Sequence, residues 1–156
     1  MPDLTILPVD SSDAGELLTL QRAAYVTEGQ LYNDCFLPAL AQTLPELEAE
    51  LDRSVALKAV RAGRILGAVR VRAEGSVWHI GRLTIAPDAQ GQGIGTSLMA
   101  EVELRAPAEI KTFALFTGHL SVANIRLYER LGYRETRREQ LKPGVELVHL
   151  EKPATA

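Results

Sequence analysis

Six consecutive residues, Gln90-Gly91-Gln92-Gly93-Ile94-Gly95, lie between a strand-like segment and a helix-like segment. Glycine allows backbone N–H groups to approach a ligand where a Cβ atom would obstruct it. The start of the following helix adds unpaired N–H groups and a partial positive charge, which together suit a phosphate or pyrophosphate. A tight turn that packs the helix on the sheet is the alternative, but such a turn rarely needs three glycines. The segment therefore predicts an anion-binding site.

The spacing of the glycines narrows the kind of anion. The dinucleotide fingerprint G-x-G-x-x-G does not occur here, because the sixth position counted from Gly91 is Thr96. The sequence also lacks the Gly-Lys-Ser/Thr of nucleotide triphosphate loops. The spacing therefore disfavours nicotinamide cofactors and ATP.

The composition is that of one ordinary domain over residues 1–156. A hydrophobic content of 46% suffices for a single core, and a formal charge of −3 with scattered basic residues disfavours a nucleic-acid partner. The single cysteine, Cys35, excludes an intramolecular disulfide and a cysteine-based zinc site, so we expect a buried, inert thiol and no metal. Neither a signal-peptide pattern nor a run of ~20 apolar residues occurs, which predicts a cytoplasmic protein without a membrane partner.

The first part of the chain has the pattern of a strand followed by two helices. Residues 4–7 alternate like a short strand, and the capping oxygens that begin at Asp10 precede a helical apolar stripe. Thr43 and Glu46 have capping-box spacing, which predicts a second, short helix. Residues 27–42 follow no single period, and we interpret them as a loop or broken helix.

Strand patterns dominate the rest of the chain. Segments 55–60, 65–71 and 77–86 are strand-like, with Ala62-Gly63 as the turn between the first two. There follow a helix from Gly93, a strand at residues 113–116, a helix that Gly132 ends, and a strand pair around Pro143-Gly144. The order β-α-α-β-β-β-α-β-α-β-β predicts one mixed sheet with a central run of antiparallel strands and at least one crossover helix.

Two motifs resemble those of one protein family. Leu83-Thr84-Ile85-Ala86-Pro87, followed by Gln90-x-x-Gly93-x-Gly95, is similar to the acetyl-CoA-binding motif of the GCN5-related N-acetyltransferases, the GNAT family. The segment from Asn124 to Tyr133 resembles the second signature of that family. The resemblance implies a single α/β domain whose mixed, mostly antiparallel sheet is flanked by helices and splayed between the fourth and fifth strands.

The resemblance assigns residues to the donor, acetyl-CoA. The strand before the glycine turn is expected to bind the pantetheine arm like an added strand, and one of its N–H groups to stabilise the oxyanion; its residues are Leu83, Thr84 and Ile85. The pyrophosphate is expected at Gln90, Gly91, Gln92, Gly93, Ile94, Gly95, Thr96 and Ser97. Asn124 is expected to bind the cofactor, to cap its helix, or both.

Two residues are candidates for proton transfer. Tyr128 holds the position whose phenol lies near the CoA sulfur in many family members, and there it is expected to protonate the departing thiolate. A core tyrosine is the alternative. His79 aligns with the strand position of the glutamate base in related histone acetyltransferases and is the candidate base. A packed or surface histidine, or a chain of waters, is the alternative, and Glu28 and His119 are weaker candidates.

The acceptor is expected to bind at the segment after the first helix, at the mouth beside the glycine-bearing strand and at the final hairpin. The candidate residues are Tyr25, Glu28, Tyr32, Trp78 and Phe116. We expect the acetyl group to pass directly to a primary amine of a small molecule or peptide, in a ternary complex. The alternative is a CoA-binding sensor or interaction module without catalysis, and a homodimer remains open.

Overall fold

The computed structural model describes residues 3–155, which form one seven-stranded sheet with helices on both faces. The strands are β1 (Thr5–Pro8), β2 (Val55–Arg61), β3 (Arg64–Glu74), β4 (Val77–Ile85), β5 (Thr112–Gly118), β6 (Arg134–Lys142) and β7 (Val145–Pro153). Their order across the sheet is β1-β2-β3-β4-β5-β7-β6. Neighbouring strands are antiparallel except for β4 and β5, which run parallel. The predicted mixed, mostly antiparallel sheet is confirmed.

The helices pack on opposite faces of this sheet. They are α1 (Ala14–Leu31), α2 (Pro38–Ala41), α3 (Leu44–Leu51), α4 (Ile94–Leu104) and α5 (Val122–Arg130). Arg70 of β3 donates a hydrogen bond to Gln21 of α1 at 3.0 Å, so α1 covers that face. Gly67 lies on the other face of β3, where an added Cβ would approach the Ile94 and Leu98 side chains to 3.0 Å. The central strands are therefore enclosed between α1 and α4.

Two local predictions are confirmed. Ala62 and Gly63 have φ angles of 53° and 76°, the left-handed pair that a two-residue hairpin turn needs. At the start of α3 the Thr43 hydroxyl accepts from the Glu46 N–H, and the Glu46 carboxylate accepts from the Thr43 N–H. This reciprocal capping box satisfies two N–H groups that the helix itself leaves unpaired.

β4 and β5 pair only over a short distance. Three parallel pairs join them, beginning with Val77 and ending with His79 on β4. Beyond His79, β4 continues along β3 to Ile85, while β5 continues along β7. The sheet is therefore split between its fourth and fifth strands, as expected. Within residues 3–155, the backbone edge of residues 80–85 that faces β5 has no strand partner.

A β-bulge lies in this unpaired part of β4. In the register of β3 with β4, one residue of β3 faces two residues of β4, Arg82 and Leu83. Arg82 has a φ of 51°, a left-handed conformation that costs a non-glycine residue about 1–3 kcal/mol. The bulge also shifts the alternation of side chains, so that Trp78 and Leu83 both point towards α4 although they are five residues apart.

The segment 27–42 is a broken helix, one of its two predicted forms. α1 continues to Leu31 and α2 is a further short helix, so only residues 32–37 and Gln42 of this segment lie outside helices. Tyr32 follows α1 directly, and its hydroxyl accepts a hydrogen bond from the Leu120 N–H at 3.0 Å. A contact between parts of the chain so far apart leaves no periodic signal in the sequence.

One expectation is wrong, and one of the two roles considered for Asn124 is not observed. Cys35 is exposed rather than buried, because it lies in the loop between α1 and α2. Asn124 does not cap its helix: the N-cap of α5 is Ser121, and Asn124 is the third residue inside the helix. The side chain of Asn124 is therefore free to face the site described below.

The apolar core lies on either side of the central strands. Leu57 and Val69 from the sheet and Leu98 and Met99 from α4 are fully buried. Between residues 3 and 155, no helix is long and apolar enough to cross a membrane. Within the same part of the chain, no three His, Cys, Asp or Glu side chains are grouped as metal ligands.

Candidate active site

A cleft of about 570 Å³ opens beside the unpaired part of β4. Its walls are the end of β4 with the glycine turn and α4, the last turns of α1, and one side of α5. The lining residues are Ala24, Tyr25, Thr27, Glu28, Leu83, Thr84, Ile85, Pro87, Ala89, Gln90, Gly91, Gly93, Ile94, Gly95, Thr96, Ala123, Asn124, Leu127 and Arg130. A cleft of this volume has the size of sites that enclose small ligands.

The glycine turn presents backbone N–H groups to this cleft. Gly91 and Gly93 have φ angles of 74° and 79°, in the left-handed region that favours glycine. An added Cβ at either residue would have no atom within 4 Å, so the space above both is open. Gly93 is also the N-cap of α4, and no side chain caps this helix. The N–H groups of the first turn of α4 are therefore available to an anion.

Side chains hold the glycine turn against the sheet. Gln90 donates from Nε2 to the Ile85 carbonyl at 3.3 Å, and Arg61 donates to Gln92 Oε1 at 2.8 Å. Gln92 and Ser97, two of the expected pyrophosphate residues, do not line the cleft. The other six expected residues of this segment do line it. Two side-chain hydrogen bonds thus fix the turn, while the space above Gly91 and Gly93 stays open.

The end of β4 provides an extended surface beside the anion site. Leu83, Thr84 and Ile85, the residues expected to bind the donor, all line the cleft. Thr84 pairs with Ala68 of β3, so one edge of the strand is used within the sheet and the other faces the gap. A ligand with amide groups can add to such a free edge through backbone hydrogen bonds.

Tyr128 lies on α5 just behind the cleft lining, with 7% of its surface exposed. Its ring packs edge-on against Tyr133, with centroids 6.2 Å apart. Burial, and then the nearby acidic groups of Tyr25 and Glu28, raise the pKa of Tyr128 well above its usual value. Within residues 3–155 its hydroxyl has no hydrogen-bond partner. The hydroxyl oxygen is not fully shielded from solvent. The phenol therefore keeps a proton that it can donate.

Tyr25 on α1 forms the opposite wall of the cleft. Burial raises the pKa of Tyr25, the positive charge of Arg82 opposes this shift, and the negative charge of Glu28 adds to it. Arg82, on the bulge of β4, and Glu28 are therefore both close enough to Tyr25 for their charges to act on its phenol.

Glu28 is tied to the start of α5 by a chain of hydrogen bonds. Ser121 donates its hydroxyl proton to Glu28 Oε2. The Tyr32 hydroxyl lies 2.8 Å from Ser121 Oγ and accepts from the Leu120 N–H at 3.0 Å. The Tyr32 ring fills the space beside Gly118, where an added Cβ would overlap its hydroxyl. The end of α1 and the β5–α5 junction are thus joined at the wall of the cleft.

Three further expected site residues do not line the cleft, as Tyr32, Gln92, Ser97 and Tyr128 also do not. Trp78 is buried, and its indole N–H donates to the Val102 carbonyl at 3.0 Å, so it is part of the core under α4. Phe116 is 58% exposed and lies against the His149 ring, with centroids 5.6 Å apart. His79 is half-buried and is the last residue of β4 that pairs with β5. It therefore lies at the apex of the split rather than on the cleft wall.

Sequence reasoning missed several lining residues on α5. Leu127 and Arg130 follow Asn124 by three and six residues, and all three line the cleft. This spacing places them on one side of the helix. Extending the second motif along that helical face from Asn124 would have identified both. Arg130 is exposed and brings a positive charge to the cleft.

Comparison with known proteins gives the class. Residues 22–154 match the family model described as the acetyltransferase (GNAT) domain. A curated relative, UPF0157 protein YqkA of Bacillus subtilis (strain 168), is 22% identical over 136 residues, which are 87% of this chain and 39% of the relative. The chain therefore spans about two fifths of the length of that relative.

Solved structures have the same fold. The ribosomal-protein-S18-alanine N-acetyltransferase of Escherichia coli superposes with a TM-score of 0.79 at 18% identity, covering 99% of this chain and 96% of the other. The PaiA N-acetyltransferase of Thermoplasma acidophilum, solved in complex with coenzyme A, gives 0.77 at 15% identity, covering 94% and 98%. At these identities the likeness establishes the fold alone.

The split sheet, the cleft and the matching solved structures define an acetyltransferase fold. The family model covers most of the chain, from residue 22 to residue 154. The protein belongs to the GNAT acetyltransferase family.

Proposed function

We propose that this protein transfers the acetyl group of acetyl-CoA directly to a primary amine. One observation carries the proposal: the open N–H cradle of the glycine turn is continuous, within one cleft, with the free backbone edge at Leu83–Ile85. Acetyl-CoA has a pyrophosphate followed by an arm with amide groups, in the order that these two surfaces require.

The residues of the cleft fit the charge of this donor. The left-handed glycines Gly91 and Gly93 leave room for a pyrophosphate at the start of α4. Arg130 lines the same cleft from α5 and supplies a side-chain cation. We assign Arg130 to a phosphate of the donor, because an arginine guanidinium binds phosphate oxygens in a fork of N–H groups.

The chemistry that the site supports is direct attack. The amine nitrogen forms a bond to the thioester carbonyl carbon, and the carbon–sulfur bond breaks. An N–H group on the free edge of β4 stabilises the charge on the carbonyl oxygen, and Tyr128 donates a proton to the departing thiolate. Neither step needs a serine or cysteine nucleophile.

The acceptor class is a primary amine of a small molecule or a peptide. Glu28 places a carboxylate on the wall opposite the glycine turn, where it suits a cationic group. The Escherichia coli neighbour is named for an alanine of ribosomal protein S18. A peptide that begins with alanine is therefore one acceptor to test, beside an amino acid, a polyamine and an aminoglycoside.

Calorimetry and thiol release test the proposal together. We expect acetyl-CoA to bind at one site and to raise the melting temperature, because it binds only the folded state. Free thiol should then appear when L-lysine, spermidine, kanamycin or an alanine-leading hexapeptide is added. Binding without any amine-dependent thiol release would favour the CoA-binding sensor, and no binding at millimolar acetyl-CoA would reject the donor assignment.

A further inference from the structure

We propose that Glu28 binds the acceptor as its ammonium ion and takes a proton from the attacking nitrogen, while Ser121 and Tyr32 hold its carboxylate in place. The proposal rests on the function proposed above. It adds the proton acceptor, the charge state in which the acceptor binds, and two positioning residues.

The direction of every hydrogen bond in this chain follows from chemistry. A backbone N–H can only donate, so the Leu120 N–H donates and the Tyr32 oxygen accepts. An ionised carboxylate can only accept, so Ser121 uses its one proton on Glu28. The remaining contact, at 2.8 Å, must then be donated by Tyr32 to Ser121. All three donors therefore point towards Glu28, and the chain of hydrogen bonds ends on its Oε2.

One oxygen of Glu28 is left for a ligand. Oε2 accepts from Ser121, whereas Oε1 has no hydrogen-bond partner among the residues that the structure describes. No lysine or arginine of residues 3–155 forms an ion pair with this carboxylate. Glu28 nevertheless lines the cleft. A fixed carboxylate with a free oxygen and no counter-charge is the group that a primary ammonium would satisfy.

Of the titratable groups around Glu28, none competes with it as the base in the cleft. Burial raises the pKa of Tyr25, which lies on the same helix as Glu28, and the pKa of Tyr128 on α5. The charge of Glu28 adds to both shifts to a lesser extent, so both phenols stay protonated. Arg82 from β4 acts on Tyr25, and the His119 ring lies 6.2 Å from the Tyr32 ring. Of these groups, Glu28 alone combines a negative charge with a place on the wall.

The proton count of the reaction closes with these residues. Two protons leave the nitrogen in each turnover as the ammonium becomes an amide. Glu28 takes the first before attack, which frees the lone pair of the nitrogen, and passes this proton to water. The second leaves the nitrogen after the carbon–nitrogen bond has formed, and through solvent it replaces the proton that Tyr128 gives to the thiolate as the carbon–sulfur bond breaks. The products are the amide, the thiol and one proton.

His79 is the competing candidate. It lies where β4 is still paired with β5, and it does not line the cleft. Its imidazole would have to act across the apex of the split, whereas the Glu28 carboxylate is on the wall itself.

Two small amines of equal size distinguish Glu28 from His79 as the base, whichever amine is the natural acceptor. Ethylamine is a cation at neutral pH, and methoxyamine is neutral there. We expect Glu28→Gln to lower kcat/KM for ethylamine about 100-fold at pH 7 and for methoxyamine less than about 3-fold, because only the first needs a base and a counter-charge. The exposed helical variant Glu48→Gln, which removes the same charge, should match the wild type with both amines.

Other outcomes would overturn the assignment. An equal loss with both amines would mean structural damage, and a loss with ethylamine in His79→Gln but not in Glu28→Gln would make His79 the base. Failure of the proposed function is a separate result, since the wild type itself would then either not bind acetyl-CoA or bind it without releasing thiol with any amine. Acetyl-CoA affinity should be the same in Glu28→Gln as in the wild type.

The same two amines test the two positioning residues. Tyr32→Phe and Ser121→Ala each remove a hydroxyl group from the chain of hydrogen bonds that holds the Glu28 carboxylate in place. Both variants should lower kcat/KM for ethylamine and leave kcat/KM for methoxyamine within about 3-fold of the wild type. An equal loss with both amines would show that these residues only support the fold.

Discussion

The absence of a Cβ atom at three glycines shapes the candidate site. At Gly91 and Gly93 the missing Cβ atoms leave the backbone N–H groups open, and both residues are left-handed. At Gly118 the missing Cβ atom makes room for the Tyr32 hydroxyl, which begins the contacts with Glu28. The donor side therefore depends on glycines with a left-handed backbone, and the acceptor side on a glycine where a Cβ atom would overlap a neighbour.

The first prediction separates strain from ligand binding at the glycine turn. Gly93→Ala and Gly75→Ala each place a Cβ at a left-handed residue with no atom within 4 Å, at φ angles of 79° and 59°. Both should lower the free energy of unfolding by about 1–2 kcal/mol, because an L-residue is disfavoured there. Calorimetry should show that only Gly93→Ala, at the cleft, loses acetyl-CoA affinity, by about tenfold or more. Equal affinity in the two variants would remove the turn from the donor site.

The second prediction concerns the buried phenol on α5. Tyr128→Phe removes one oxygen that makes no hydrogen bond within the described residues, so the fold should be retained. We expect kcat to fall by about 10² because the thiolate loses its proton donor, with the Kd of acetyl-CoA within twofold of the wild type. Steady-state thiol release and calorimetry measure the two quantities. A parallel loss of kcat and affinity would assign Tyr128 to packing.

At the scale of elements, the site is made by three departures from regular structure. First, β4 separates from β5 after His79. Second, a bulge at Arg82 and Leu83 changes which face the side chains at the end of β4 point to. Third, α1 extends past its periodic segment to Glu28 and beyond. Each departure places backbone or carboxylate groups on the cleft. The regular parts of the same elements only build the core.

The third prediction tests the link between α1 and the β5–α5 junction. Gly118→Ala would drive a Cβ into the Tyr32 ring, so Tyr32 must leave its place beside Ser121. We expect a loss of about 1–3 kcal/mol in the free energy of unfolding, as for an overpacked core site. Gly15→Ala is the control, since an added Cβ in that helical position has open space and should stabilise by a few tenths to 1 kcal/mol. Urea unfolding of both variants measures the difference, and an unchanged Gly118→Ala would contradict the packing of Tyr32.

The sequence predicts those elements whose signals are local. The left-handed turn at Ala62-Gly63, the capping box of Thr43 and the glycine turn before α4 all follow from residue types at fixed spacing, and the structure has each of them. The glycine turn and the second motif together resemble the GNAT family. That resemblance predicts the split of the sheet, which the structure has.

The sequence does not predict features that depend on distant contacts. Counting by twos along β4 puts Trp78 on the opposite face from Leu83, which would direct it away from α4. The bulge reverses that parity, so Trp78 is buried under α4. The last turns of α1 are likewise held by residues about 90 positions away, through Ser121 and Tyr32. Neither effect has a periodic signature.

At the scale of the whole molecule, one ion pair joins the N-terminal segment to the sheet. Lys58 Nζ of β2 lies 2.6 Å from Asp13 Oδ2, and both side chains are 15% exposed. Burial alone would raise the pKa of Asp13, but the hydrogen bonds from Lys58 and from the Asp10 N–H outweigh it, and the pKa is lowered. A carboxyl whose pKa is depressed by folding stabilises the protein above its unfolded pKa and loses this contribution as the pH falls.

The fourth prediction follows from the lowered pKa of Asp13. Asp13→Asn should be less stable than the wild type at pH 7 by about 1.5–3 kcal/mol, the range for a hydrogen bond to a charged group. The difference should shrink below about pH 4, where the wild-type carboxyl also becomes protonated. Asp52→Asn, at an exposed position, should follow the wild type throughout. Urea unfolding at a series of pH values gives the curves, and a difference that does not change with pH would contradict the ion pair.

A crystal structure with bound acetyl-CoA tests the central claim most directly. We predict that the pyrophosphate lies within hydrogen-bonding distance of the N–H groups between Gly91 and Thr96, and that the pantetheine arm pairs with the free edge of Leu83–Ile85. The thioester should then lie in the gap between β4 and β5, with its carbonyl carbon open to Glu28 on one side and its sulfur near Tyr128. Acetyl-CoA bound with its pyrophosphate away from the glycine turn, or with its thioester outside the gap, would contradict the account.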